Sequence, residues 1–152
     1  MKPKFIQAYM EVAKTFANLS SAKRLQVGAI VVKDDRIISI GYNGMPSGWD
    51  NECEDLALNV VGVAKDGKDI VEPYLKTKPE VIHAESNAIS KLARSSESGE
   101  GATMFITHAP CMDCAKLIYQ SGIREVYYDV EYRSTEGLEF LNKSGIIVTC
   151  VK

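Results

Sequence analysis

Apolar residues recur at intervals of three and four along the first part of the chain, at Phe5, Tyr9, Val12, Ala13 and Phe16. This spacing predicts a helix over residues 3–19, with Pro3 suited to its first turn. Over 27–32 and 37–40 both alternating sets are apolar or small, the pattern of strands covered on two faces, and Asp34-Asp35 between them predicts a hairpin turn. A glycine-rich segment, 41–48, leads into an insertion at about residues 49–80, where glycines, prolines and the charge run 65–69 interrupt every long period. Part of that insertion, 56–64, is expected to be helical.

Ala84, Ala88 and Leu92 at four-residue spacing predict a helix over 84–94, followed by a polar loop at 95–101. Residues 102–107 read as a strand, 112–121 as a helix closed by Gly122, and 125–130 as another strand. Ser134 suits the cap of a last helix ending near Lys143 and Gly145, before a final strand at 146–151. The order is α-β-β-insertion-α-β-α-β-α-β. Alternating strands and helices in its second half predict parallel neighbours with helices on both faces of one sheet, hence an α/β fold in a single domain spanning 1–152.

With 152 residues, 45% hydrophobic and 25% charged, the chain can bury one sizeable core, which excludes a disordered or coiled-coil reading. Eighteen Lys and Arg against 20 Asp and Glu leave a net charge of −2, and no basic cluster stands out, so a polynucleotide partner is not expected. No secretory signal pattern opens the chain and no apolar run reaches membrane-span length; the expectation is a cytoplasmic protein without a membrane partner. There, Cys53, Cys111, Cys114 and Cys150 are not needed as disulfide staples, and the C-x-x-C pair Cys111/Cys114 points to metal or redox chemistry.

His83-Ala84-Glu85 and Pro110-Cys111-Met112-Asp113-Cys114 each open a predicted helix directly after an extended segment. One imidazole and two thiolates are donors that zinc favours, and three ligands leave a fourth position open. Cys111 and Cys114, three apart, face the same side of a helix whose positive end favours thiolates. Glu85 then flanks the open position as a proton carrier for water rather than as a ligand. A closed structural site of His83, His108, Cys111 and Cys114 is the alternative, though it gives Glu85 no task. Trp49 is expected to plug the insertion against the core, and Cys150 to pack in the last strand.

The H-A-E and P-C-x-x-C motifs, with Gly41-Tyr42-Asn43-Gly44 upstream, resemble the zinc-dependent cytidine deaminase superfamily. Gln26-Val27-Gly28-Ala29, Gly41 through Pro46, His83 through Ile89, Thr107 through Lys116 and Gly122 through Tyr128 together resemble its deoxycytidylate (dCMP) deaminases. The resemblance implies a three-layer α-β-α cytidine-deaminase-like fold around a mixed five-stranded sheet. It implies zinc on His83, Cys111 and Cys114, and hydrolysis of dCMP to dUMP and ammonia, with Glu85 moving a proton from water to ring nitrogen 3 and then to the departing amine. It further implies Asn43 at the deoxyribose 3′-hydroxyl, the Ala84 N–H at the pyrimidine carbonyl, and Pro110 and Tyr132 at the nucleotide, with Arg24 a candidate for the 5′-phosphate and His108 part of the pocket wall. Some relatives carry a second zinc in the insertion; Cys53 has no histidine between it and His83, so one Zn2+ per chain is expected. Hexamers activated by dCTP with Mg2+ and inhibited by dTTP are typical of the family, which makes Gly44, Met45, Gly48 and Arg94 candidate effector positions. The rival substrates are free cytidine or deoxycytidine and tRNA adenosine, since the zinc chemistry is shared.

Overall fold

The computed structural model describes every residue from Met1 to Lys152. Its elements are α1 (Pro3–Ala17), β1 (Gly28–Lys33), β2 (Arg36–Tyr42), β3 (Glu54–Val63), β4 (Asp69–Thr77), α2 (Ala84–Ala93), β5 (Thr103–His108), α3 (Met112–Gln120), β6 (Glu125–Val130), α4 (Glu136–Lys143) and β7 (Ile147–Cys150). Five strands form one sheet in the order β2-β1-β5-β6-β7. The β2/β1 and β1/β5 pairs are antiparallel, and β5/β6 and β6/β7 are parallel. The sheet is therefore mixed, and its parallel half comes from the alternating second half of the chain.

Two alternating sets of side chains on the same strands set the layers. Ile30, Val32, Phe105 and Tyr127 point to one face and pack on Met10 and Ala13 of α1. Ala29, Val31, Met104, Ile106 and Val126 point to the other, where Ala84, Ala88, Ala115, Ile118 and Leu141 bring in α2, α3 and α4. Both crossovers, β5-α3-β6 and β6-α4-β7, lie on that second face because the strands are added in one direction. Asp34 and Asp35, at φ 51° and 57°, form the two-residue turn between Lys33 and Arg36, as the hairpin reading requires, and Gly122 ends α3 at φ 84°. Thr135 immediately precedes α4 but makes no capping bond to the backbone, its hydroxyl donating to the Glu139 side chain at 2.8 Å; the expected contact from Ser134 is present, its hydroxyl accepting from the Glu136 N–H at 3.4 Å.

The insertion departs from expectation. Residues 56–64 are not helical; β3 and β4 pair only with each other in a separate two-stranded ribbon. Leu56, Leu58 and Val60 carry a period of two, each strand holds three β-branched residues, and Asp66-Gly67 forms the turn, with Gly67 at φ 81° and the Lys68 N–H donating to the Asp66 carboxylate at 3.0 Å. Trp49 is 57% exposed and plugs nothing. Cys53, buried with Ala22 and Val81, fastens the root of the ribbon instead.

The edge strand β2 is held to α2 by side chains. Ser39 donates to the Ala88 carbonyl at 2.7 Å, Asn87 to the Tyr42 carbonyl at 3.2 Å, and Lys91 to the Ile40 carbonyl at 2.9 Å. Gly41 allows this approach, because a Cβ there would lie 2.3 Å from the Ala84 carbonyl oxygen and 2.7 Å from the Ala88 nitrogen. Gly41→Ala is therefore expected to push back the first turn of α2, costing about 1–3 kcal/mol in a denaturant titration and weakening zinc binding. An unchanged midpoint would contradict the tight contact.

Candidate active site

The start of β1, the ends of β2, β5 and β6, and the first turns of α2 and α3 all lie at one end of the sheet, because β1 runs antiparallel to β2 and to β5, and β5 parallel to β6. The carboxyl ends of parallel strands are where α/β sheets open a crevice. Here that crevice is a cleft of about 400 Å³ whose wall includes Arg24, Asn43, His83, Ala84, Glu85, His108, Cys111 and Tyr132.

His83 is the N-cap of α2 and Cys111 the N-cap of α3, both with extended backbone, and Cys114 follows one turn into α3. The ligand atoms of the three residues lie within 4.8 Å of one another. His83 Nδ1 is 3.6 Å from Cys111 Sγ and 3.4 Å from Cys114 Sγ. An imidazole and two sulfurs at these separations surround one position with the N/S donor set that suits zinc, so the residues fit the metal.

The proton affinities of the three donors point the same way. A hydrogen bond from the Cys114 thiol, and then His83, pushes Cys111 down to about 4. Cys114 is pushed up by the same hydrogen bond and by burial, while the Ser86 N–H of the neighbouring helix favours its thiolate. His83 is raised by its hydrogen bond to Cys111. The cluster thus holds protons where a divalent cation takes their place, which is the usual linkage between metal binding and proton release.

Glu85 is 4% exposed, and burial pushes its carboxyl up to about 7. It stands one residue inside α2, beside the three donors without being one of them. A carboxyl poised near neutrality can accept and return a proton. His108 is not in the cluster: its Nδ1 is 3.0 Å from the Thr107 hydroxyl and burial lowers its pKa, so the closed four-ligand alternative is not formed and His108 is a neutral wall residue.

Asn43 bridges two segments before it meets any ligand. Its Oδ1 accepts from the Val27 N–H and its Nδ2 donates to the Leu25 carbonyl, both at 2.8 Å. One N–H and one lone pair of the amide stay available to the cleft. Pro110 does not line the cleft: its side chain is fully buried, and α4 packs so closely on its backbone that a Cβ on Gly137 would lie 2.1 Å from the Pro110 carbonyl oxygen. It lies in the turn that leads into Cys111 and α3.

Sequence reasoning missed Glu54, Thr77 and Arg133, all on the cleft wall. Glu54 accepts from the backbone N–H groups of Lys23 at 2.7 Å and Arg24 at 3.1 Å, and Arg24 Nη1 donates to the Thr77 hydroxyl at 3.1 Å. The ribbon root thereby orients Arg24. Only recognition of the β3/β4 hairpin reveals this, since Glu54 and Thr77 are cross-strand partners. A second cleft, of about 490 Å³, brings together Gly44, Met45 and Gly48 with Lys91. Arg94, the exposed C-cap of α2, does not line it.

Residues 3–130 match the family model described as the cytidine and deoxycytidylate deaminase zinc-binding region. The chain belongs to this family. Among its relatives, the deoxycytidylate deaminase of Homo sapiens is 37% identical over 145 residues, covering 91% of this chain and 74% of that protein. The deoxycytidylate deaminase of Enterobacteria phage T4 is 35% identical over 150 residues, covering 81% of this chain and 76% of the phage protein. A crystal structure of dCMP deaminase from the cyanophage S-TIM5, in complex with dCMP and dUMP, superposes with a TM-score of 0.84 at 44% identity, covering 99% of each chain. The site is that of a hydrolytic deaminase in a zinc-binding family.

Substituting Cys114→Ser is expected to abolish stoichiometric zinc while the chain stays folded on its sheet core, measured as metal content alongside far-ultraviolet circular dichroism. Wild-type protein should carry one zinc; two per chain, or full zinc in the variant, would contradict the assignment.

Proposed function

We propose that this deaminase converts dCMP to dUMP with release of ammonia, supplying dUMP for thymidylate synthesis in the cytoplasm. The observation that carries the substrate is the pairing of a buried carboxyl beside a His/Cys/Cys cluster with two guanidinium groups, Arg24 and Arg133, on the wall of the same cleft. Neither arginine is in an ion pair within the chain, where Arg24 bonds only a hydroxyl and Arg133 lies 5.6 Å from the centre of the Tyr132 ring. A nucleoside leaves such groups without a partner; a 5′-phosphate matches their geometry. The relatives named deoxycytidylate deaminase and the cyanophage complex with dCMP and dUMP support the same reading.

His83, Cys111 and Cys114 would hold Zn2+, which supplies Lewis acidity that makes water nucleophilic at neutral pH. The Ala84 N–H, at the free first turn of α2, donates to the pyrimidine carbonyl, Asn43 bonds the 3′-hydroxyl, and Tyr132 closes over the nucleotide. Glu85 accepts a proton as the water oxygen bonds to carbon 4 and delivers it to ring nitrogen 3. It then takes the remaining proton from that oxygen and gives it to the amine, the bond from carbon 4 to the amine nitrogen breaks, and ammonia leaves. Burial of Glu85 keeps bulk water from short-circuiting this relay.

The enzyme is further proposed to be a homohexamer, activated by dCTP with Mg2+ and inhibited by dTTP. The loop carrying Gly44, Met45 and Gly48 supports this, because Asn43 at its start borders both clefts. A rate unresponsive to both nucleotides contradicts it.

Glu85→Gln is expected to fold and bind zinc but to lose at least about 10²–10⁴ in turnover. Arg24→Ala should raise KM for dCMP while leaving turnover of deoxycytidine unchanged. Equal wild-type rates on dCMP and deoxycytidine, followed by the ultraviolet change, would overturn phosphate recognition.

A further inference from the structure

The ribbon of β3 and β4 is required by the cleft only at its root, through Glu54 and Thr77. Beyond that, no residue from 55 to 76 is buried, and each strand pairs only with the other. Its register makes it two-sided. Leu56 lies opposite Leu75, Leu58 opposite Pro73, and Val60 opposite Val71; residues directly opposite share a face, so six apolar side chains form one surface without a charge. The intervening pairs, Asp55 with Lys76, Ala57 with Tyr74 and Asn59 with Glu72, form the reverse face and carry the charges. Leu56, Leu58 and Val60 are 73%, 66% and 57% exposed. A two-stranded ribbon standing alone in water is marginally stable, and an apolar strip of this extent marks an interaction surface.

We propose that this apolar face packs against the same face of a second copy of the chain. The charge distribution favours that occupant: an isologous contact sets a surface against itself, and the six apolar positions meet no like charge in their own image, while the Glu54 carboxylate at the root is bound to the Lys23 and Arg24 N–H groups. A polynucleotide or a charged peptide would be met by charged residues, which stand on the opposite face and in the turn at 65–69. The area agrees as well. The exposed parts of the six side chains amount to roughly 500 Å² per chain, so two ribbons bury about 1,000 Å², the size at which a specific interface begins. The next pair on the apolar face is Glu54 with Thr77, so the contact also braces the wall that orients Arg24. This contact deepens the oligomer of the proposed function by naming its surface, and rests on that reading to this extent.

The test is the mass of the purified full-length protein by light scattering, for wild type, for Leu58→Asp with Val71→Asp, and for Asn59→Asp with Glu72→Gln on the reverse face. Zinc content and circular dichroism report whether each variant is folded. The wild type and the reverse-face variant are expected to assemble, and the apolar-face variant to fall to a smaller assembly while keeping its zinc. A milder change, Leu58→Ser, should raise the dissociation constant at least tenfold and decides the matter if the double variant does not fold. Unchanged mass and dissociation in both apolar-face variants overturn the ribbon contact alone, whereas monomeric wild-type protein overturns the contact and the oligomer together.

Discussion

Two helices must begin at the same point for this site to exist. His83 and Cys111 are N-caps, and Cys114 and Glu85 sit in the first turns that follow, so the separation of four functional groups is the separation of two helix starts. That separation is fixed by backbone. Gly41 lets the first turn of α2 rest on β2, and Gly137 lets α4 press on the turn that leads into α3. Three side-chain bonds to β2 prevent α2 from sliding along the edge strand. The short H-x-E and C-x-x-C spacings are useful only because the sheet holds their helices in register.

The same geometry resolves an electrostatic difficulty. Two sulfurs and a carboxylate share one small volume; burial raises the proton affinity of Glu85, and the hydrogen bond to Cys111 together with burial raises that of Cys114. Two helix N-termini with unpaired N–H groups, and a divalent cation, compensate that charge. Glu85, buried and poised near neutrality, is the group that the proposed reaction uses to carry a proton. The same cleft carries Arg24 and Arg133 on its wall, with Glu54 and Glu131 beside them, and the proposed substrate would set its phosphate against the guanidinium groups and its neutral base beside Glu85.

The sheet, its helices and the zinc donors were legible in the sequence because their signals are local. Strand pairs with both faces apolar, a double-aspartate turn, and ligands three residues apart each need only a few neighbours. The ribbon was not legible. Charges at 65–69 look like an interruption when read in sequence, yet they form the turn that folds 54–63 onto 69–77. With the hairpin unseen, Glu54 and Thr77 had no visible link to Arg24. The burial of Pro110 was hidden for a different reason: it is set by α4, which packs on its backbone from far along the chain. Trp49 shows that a large apolar residue in an insertion need not be core.

X-ray absorption of the zinc-loaded protein tests most directly whether the metal keeps an open position beside Glu85. The account predicts two sulfurs at about 2.3 Å and two lighter atoms at about 2.0–2.1 Å, only one of which shows the outer-shell scattering of an imidazole. Two imidazoles, a third sulfur, or no bound metal in active protein would contradict it.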